Sequence, residues 1–241
     1  MKEVEDSCTG AVTGCNFVYH SMKSLNQLLL DFDYKQNFKD DDFYVGKSNY
    51  YTFELINRWP KWEKNFINIS GDKYSGKSHL VNIFLKKFKG IKLDSKLISN
   101  NDLKKIKIFQ NIVIEDFNDN VDEKLIYSLL NIIDQENKFI IVTSIKPIVN
   151  FDFHLKDLKS RTKNFLLLHI EKPDDDLMFA LILKNLSDRQ ISLDKKLIDY
   201  IIKRINRSYG KIFDFIYKID QLSLKKKKSI DFKIIKEVLG E

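Results

Sequence analysis

The sequence predicts an α/β fold, a parallel sheet flanked by helices, followed by a small all-α domain. Between residues 66 and 169, short apolar runs rich in β-branched residues alternate with stretches of helical spacing. Strands separated in this way by helices form a parallel sheet covered on both faces. After residue 172 only helical spacing continues, with Pro173, Asp174, Asp175 and Asp176 as a start signal whose acids favour the helix dipole.

The elements follow in order. Phe66 to Ser70 reads as a buried strand, followed by a loop and a helix over Lys77 to Lys87. Ile91 to Leu93 is a second short strand, and Asn111 to Asp116 is an apolar strand that ends in acids. A helix over Asp122 to Asn137 leads to strands over Lys138 to Thr143 and Phe165 to His169. The helices of the last part begin at Pro173 and continue over Asp194 to Arg204, Tyr209 to Ser223 and Asp231 to Leu239.

Composition narrows the class. The 241 residues are 43% hydrophobic and 31% charged, with 8 Gly and 3 Pro, which excludes collagenous and low-complexity chains. The longest apolar run, Leu177 to Leu183, falls far short of the ~20 residues needed to cross a bilayer. With no signal-peptide pattern at the start, a cytoplasmic protein without membrane contact is expected. Two cysteines, Cys8 and Cys15, are too few for a disulfide scaffold or a four-ligand zinc site. The net charge is +7, but the basic residues are spread along every segment and interleaved with acids. Direct grip on nucleic acid is therefore not the first expectation.

The strongest chemical signal is Gly71-Asp72-Lys73-Tyr74-Ser75-Gly76-Lys77-Ser78, a full match to G-x-x-x-x-G-K-[ST]. It lies directly after a predicted strand and directly before a predicted helix, the context of a phosphate-binding loop. Backbone N–H groups of such a loop point at phosphate oxygens, and the helix dipole favours the anion. Gly71 and Gly76 permit turns that a Cβ would obstruct. Lys77 is expected to reach the β- and γ-phosphates, and the Ser78 hydroxyl to ligate Mg²⁺. Ser75 and His79 complete the set of candidate cofactor-binding groups around the loop, with packing as the competing role for His79.

The second half of such a site needs acids. Ile112-Val113-Ile114-Glu115-Asp116 fits a Walker B strand, with Glu115 expected at the metal and Asp116 in catalysis. Thr143 and Ser144 end the following strand, within reach of a γ-phosphate or an attacking water. Arg161 and Arg207 are unremarkable surface arginines when read alone.

In this order, the phosphate loop, acids, polar strand end, Ser-Arg pair and helical lid with another arginine resemble the AAA+ ATPases. Asp42-Phe43-Tyr44-Val45-Gly46-Lys47-Ser48-Asn49 is similar to a segment that precedes the core in the replication initiator DnaA and its relatives. Gly76-Lys77-Ser78-His79-Leu80, Asp157-Leu158-Lys159-Ser160-Arg161 and Asn206-Arg207-Ser208-Tyr209 also resemble DnaA motifs. Arg58-Trp59-Pro60-Lys61-Trp62 resembles the alphaproteobacterial branch of the DnaA-related Hda regulators. The resemblance covers roughly residues 26 to 239. It implies bound ADP or ATP with Mg²⁺, Asn49 lining the adenine site, Ser144 near sensor 1, Arg161 as an arginine finger and Arg207 as sensor 2. The acids read Glu-Asp, where DnaA has Asp-Asp and most AAA+ proteins Asp-Glu. Weak or absent ATPase activity of its own is expected from that order.

Four regions follow. Residues 1–21 read as a disordered extension and 22–42 as an N-terminal segment with a clamp-binding-like motif. Residues 43–171 form the AAA+ α/β domain and 172–241 the helical lid. Within the second region, Gln27, Leu28, Leu30 and Phe32 belong to a hexapeptide that resembles those inserted into the sliding clamp of DNA polymerase III. A glutamine amide would set its register, and alternate apolar side chains would fill a cleft. The chain stops soon after the lid, without the helix-turn-helix domain of DnaA. The resulting expectation is a regulatory adaptor that binds the clamp and stimulates hydrolysis of ATP held by DnaA, meeting DNA only through the clamp. A homodimer is compatible with it. The competing expectation is an autonomous DNA-dependent ATPase or a helicase-loader-like protein.

Overall fold

The computed structural model describes residues 43–241. The clamp-like hexapeptide with Gln27, Leu28, Leu30 and Phe32 lies outside the described residues, as do both cysteines. The first part contains α1 (Tyr50–Asn57), β1 (Phe66–Gly71), α2 (Lys77–Lys87), β2 (Gly90–Asp94), α3 (Asn100–Ile106), β3 (Asn111–Phe117), α4 (Glu123–Gln135), β4 (Phe139–Ser144), α5 (Lys156–Thr162) and β5 (Leu166–Ile170). A helical lid follows, with α6 (Asp175–Asp188), α7 (Lys195–Ile202), α8 (Tyr209–Lys226) and α9 (Phe232–Leu239).

The strands form one parallel five-stranded sheet in the order β2-β3-β4-β1-β5. β1 therefore lies between β4 and β5, and the chain leaving it crosses two strands to reach β2 at the edge. That reversal puts the loop after β1 at a topological switch point, where open α/β sheets bind ligands.

Alternation along the strands divides the core in two. Ile67 and Ile69 of β1, Val113 of β3 and Ile141 of β4 pack with Leu80, Val81 and Phe84 of α2. Phe66, Ile112, Ile114, Ile140 and Val142 point the other way, onto Leu129, Leu130 and Ile133 of α4 and Leu158 of α5. Trp62 joins the α2 face, and its Nε1 donates to the Leu55 carbonyl at 2.8 Å. Asn68 is the polar exception inside β1. It is fully buried, and its amide donates to the Val142 carbonyl and the Ser144 hydroxyl while accepting from the Ile148 N–H.

The lid has its own core, in which Met178, Ile182, Ile198, Ile201, Ile216, Ile219 and Ile235 meet. Aspartates precede α6, α7 and α9. Asp174 accepts from the Leu177 N–H, and Asp231 from the Ile234 N–H, satisfying donors that a helix start leaves open. The run Lys225 to Lys228 forms the last turn and cap of α8, fully on the surface, where cations suit the helix C-terminus. Tyr209, the first residue of α8, ties the lid to the sheet domain. Its hydroxyl donates to the Glu171 carbonyl at 3.0 Å and lies 3.3 Å from the Ser48 hydroxyl, and the Glu171 N–H donates back to the Ser48 carbonyl.

Candidate nucleotide-binding site

The loop from Gly71 to Ser78 joins the carboxyl end of β1 to the first turn of α2. Gly76 has φ +92°, a left-handed conformation that a side chain strains, and a Cβ there would lie 3.1 Å from the Phe43 ring. A Cβ on Gly71 would lie 3.0 Å from the Ser75 hydroxyl and 3.1 Å from the Ile170 carbonyl. Both motif glycines are thus required by space or by backbone. Their positions leave a tight cradle at a helix N-terminus.

Lys77 is buried, at 7% exposure, and curls back over this cradle. Its Nζ donates to the carbonyls of Gly71 at 2.8 Å and Asp72 at 2.7 Å. Burial pushes its pKa below the usual lysine range, while the carboxylates of Asp116 and Asp72 oppose that shift. An ammonium held among carbonyls and short of water is a strong seat for phosphate oxygens.

The acids at the end of β3 diverge. A register shift between Ile114 and Phe117 interrupts the β3–β4 ladder, and Asp116 takes a left-handed φ of +53°. Its N–H donates to Thr143 Oγ1, its carbonyl accepts from Ser95, and its carboxylate acts electrostatically on Lys77. Glu115 instead forms an ion pair with Lys92 of β2 at 3.0 Å, and its Oε1 is buried with no hydrogen-bond partner.

Several expectations need correction. Ser144 points away from the loop's side of the sheet: it accepts from Asn68 and donates to the Lys146 carbonyl at 2.7 Å. Thr143, with the opposite parity, is the polar group on the α2 face. Asn49 is buried and consumed by the turn before α1, accepting from the Gly46 N–H and donating to the Tyr44 carbonyl. It shapes that segment and does not offer a free amide to a base. Phe43 is the residue set against the loop, stacked on Phe53 at 5.6 Å and meeting His79 edge-on at 5.3 Å. His79 packs accordingly. Glu115, expected at the metal, already holds a cation in Lys92.

The two arginines are paired with acids outside the loop and β3. Arg161 donates to Asp134 of α4 at 2.9 Å and lies 5.8 Å from the centre of the Tyr127 ring, on the sheet face opposite α2. Arg207 is exposed and paired with Asp175 of α6 at 2.9 Å. The lid reaches the loop through Tyr74, whose ring stacks on Phe213 of α8 at 4.6 Å and 9°. Sequence reasoning missed Phe43, Tyr74, Lys92 and Phe213 as site residues, and of the pair Thr143 and Ser144 it carried forward the one that faces away from the loop. The loop motif assigns no chemistry to Tyr74, and Phe213 looks like ordinary helix packing.

The donor set fits a nucleotide's phosphates: a buried ammonium, two constrained glycines and a helix N-terminus at a switch point. It does not fit a divalent cation equally well. Mg²⁺ beside a nucleotide takes phosphate oxygens and waters with only one or two protein oxygens, and of the two expected here, Ser78 and Glu115, Glu115 is paired with Lys92.

Comparisons agree with this architecture. Residues 174–239 match the family described as "Hda, lid domain". The chromosomal replication initiator protein DnaA of Buchnera aphidicola subsp. Cinara cedri (strain Cc) is 23% identical, over 89% of this chain and 55% of the relative. The chain thus spans about half the length of that relative. Domain III of Thermotoga maritima DnaA superposes with a TM-score of 0.67 at 16% identity, covering 86% of this chain and 97% of the other. AMPPCP-bound DnaA from Aquifex aeolicus gives 0.62 at 19% identity, over 85% and 81% of the two chains. No described helix is long and apolar enough to cross a membrane. Residues 174–239 thus match the Hda lid family, and the chain as a whole is similar to DnaA in sequence and in fold.

Proposed function

We propose that the chain is a regulatory adaptor of replication initiation, which holds ADP or ATP in the loop from Gly71 to Ser78 and acts on nucleotide held by DnaA. The observation that carries the proposal is the pairing of a constrained phosphate loop around Lys77 with a lid of the Hda type over 174–239. Bound nucleotide supplies the polyphosphate anion that this cradle is shaped to take. Lys77 exchanges the carbonyls of Gly71 and Asp72 for phosphate oxygens, and the backbone around Gly76 closes on the same group. The clamp hexapeptide from Gln27 to Phe32 provides the anchor on the sliding clamp of DNA polymerase III, and DNA is met only through that clamp.

Arg161 is the group offered to the partner. Its bond to Asp134 is a surface ion pair, with Asp134 58% exposed, and such pairs are worth about 0–1 kcal/mol. Exchange of Asp134 for a phosphate on a docked DnaA therefore costs little. Arg207, 61% exposed and paired with Asp175, is the lid arginine available to the chain's own nucleotide. Glu115 is occupied by Lys92, which supports weak or absent hydrolysis by the chain itself.

The test measures phosphate release from DnaA preloaded with ATP, in the presence of clamp on DNA. Wild-type protein should stimulate release. Arg161→Ala should retain nucleotide and clamp binding but lose the stimulation, an effect of roughly 10³ to 10⁵ where arginine fingers act. Equal stimulation by both proteins would discard the finger. Rapid DNA-dependent hydrolysis by the chain alone, without stimulation of DnaA, would replace the adaptor by an autonomous ATPase.

A further inference from the structure

Lys92 is the unassigned side chain nearest the chemistry. β2 and β3 pair in parallel with Lys92 beside Val113 and Asp94 beside Glu115, so Lys92 shares the α2 face of the sheet with Val113 and Glu115. Its Nζ lies 3.0 Å from Glu115 Oε2 and donates to Asn82 Oδ1 at 3.1 Å. Asn82 follows Ser78 by one helical turn on α2, and residues spaced i, i+4 share one stripe of a helix. Ser78, Asn82, Lys92 and Glu115 therefore converge between α2 and the β2–β3 edge. This is the stripe from which an AAA+ site would draw its metal ligands. The strand register fixes the face that Lys92 occupies, and Glu115 and Asn82 together anchor its ammonium there.

Resting on the nucleotide-binding reading above, we infer that Lys92 is an internal counter-cation for Glu115. It takes the electrostatic place of a divalent ion, so this chain binds nucleotide with little dependence on Mg²⁺. Mg²⁺ needs near-octahedral oxygen ligands and gives up its water reluctantly. Beyond phosphate oxygens and waters, the protein would offer it the Ser78 hydroxyl and Oε1 of a Glu115 whose charge is already matched by Lys92. An ammonium within 3.0 Å of that carboxylate also repels an arriving dication. Nucleotide bound in this way serves as a retained structural and regulatory ligand rather than as fuel.

The test titrates ADP calorimetrically into the full chain, in excess Mg²⁺ and in excess EDTA, for wild type, Lys92→Met and Lys92→Arg. Wild-type and Lys92→Arg affinities should differ by less than about threefold between the two buffers. In Lys92→Met, which keeps length but removes charge, Mg²⁺ should tighten binding by about tenfold or more. Mn²⁺ added with ADP gives a second readout by electron paramagnetic resonance: measured against Mn²⁺ with ADP alone, wild type should give no protein-bound signal and Lys92→Met should give one. A wild-type affinity that falls tenfold in EDTA overturns the inference while leaving the nucleotide site intact, and that arm stands even if Lys92→Met fails to fold. An unchanged Mg²⁺ ratio in folded Lys92→Met overturns it too. No ADP binding in either buffer sinks the phosphate-loop reading itself, and this inference with it.

Discussion

Lys77 lies buried beneath its own loop, among the carbonyls of Gly71 and Asp72, whereas Arg161 lies across the sheet with exposed Asp134 as its partner. Both are cations suited to phosphate. The first is held by two backbone carbonyls of its own loop, and desolvation sharpens its attraction for an anion. The second is held by an interaction that water weakens, so exchange with another molecule is inexpensive. On the proposed reading, burial suits Lys77 to this chain's own ligand, and the exposed partner of half-buried Arg161 leaves that arginine exchangeable.

The sharpest way to break that contrast is at Lys77. Lys77→Ala should reduce ADP affinity at least about 100-fold by calorimetry while the chain still unfolds cooperatively, because it removes the ammonium over the loop. The pH dependence gives an independent check. Burial lowers the folded-state pKa of Lys77, so between that value and the unfolded one the unfolded chain binds more protons. Stability then rises with pH across this alkaline window, as the penalty for burying the ammonium is relieved. Denaturant midpoints measured against pH should show that rise in wild type and a smaller one in Lys77→Ala. Equal slopes would mean that the ammonium is not desolvated.

The same contrast explains what was legible in the sequence. The strand before the loop and the bounds of α2 were readable because a complete motif and a buried apolar run agree there. α1, α3 and α5 were not read as helices. Each has only seven or eight residues; α7 and α9 are equally short, but an aspartate before the first turn and buried apolar residues at helical spacing reveal them. The cap that starts α3, Ser99 with Asp102, was the available signal. The choice of Ser144 over Thr143 failed for a different reason. β4 is apolar from Phe139 to Val142 and buried on both faces, so it has no alternation from which to read parity. Lys92 was invisible because its role depends on the register of β2 against β3, a pairing between segments that are distant in sequence.

A smaller effect is expected where the lid meets the loop. The stack of Tyr74 on Phe213 joins the two parts of the site, and aromatic pairs contribute about 0.5–1.5 kcal/mol beyond the area that they bury. Phe213→Ala should lower the melting temperature by about 2–4 °C per kcal/mol lost for a chain of this size. ADP affinity should weaken several-fold, because the loop loses its contact with α8, and Phe213→Tyr should restore both. A melting shift with unchanged affinity would confine the stack to structure and separate lid position from nucleotide binding.

The smallest expected effect, and the most direct test of the exposed half of the comparison, is Asp134→Ala. Arg161 gains from Asp134 only what a solvent-screened pair supplies, and its guanidinium keeps the Tyr127 ring beside it after the carboxylate is gone. Stability should therefore change by less than about 1 kcal/mol, read from the denaturant midpoint. A partner's phosphate would no longer compete with Asp134 for the arginine, so half-maximal stimulation of DnaA should need equal or less protein than wild type. Raising the salt concentration should shrink the stability difference further, as screening already dissolves the pair. A loss of more than about 3 kcal/mol would instead mark Arg161 and Asp134 as a desolvated strut between α4 and α5. In that case the arginine could not leave its place to serve another molecule, and the finger role would fall with it.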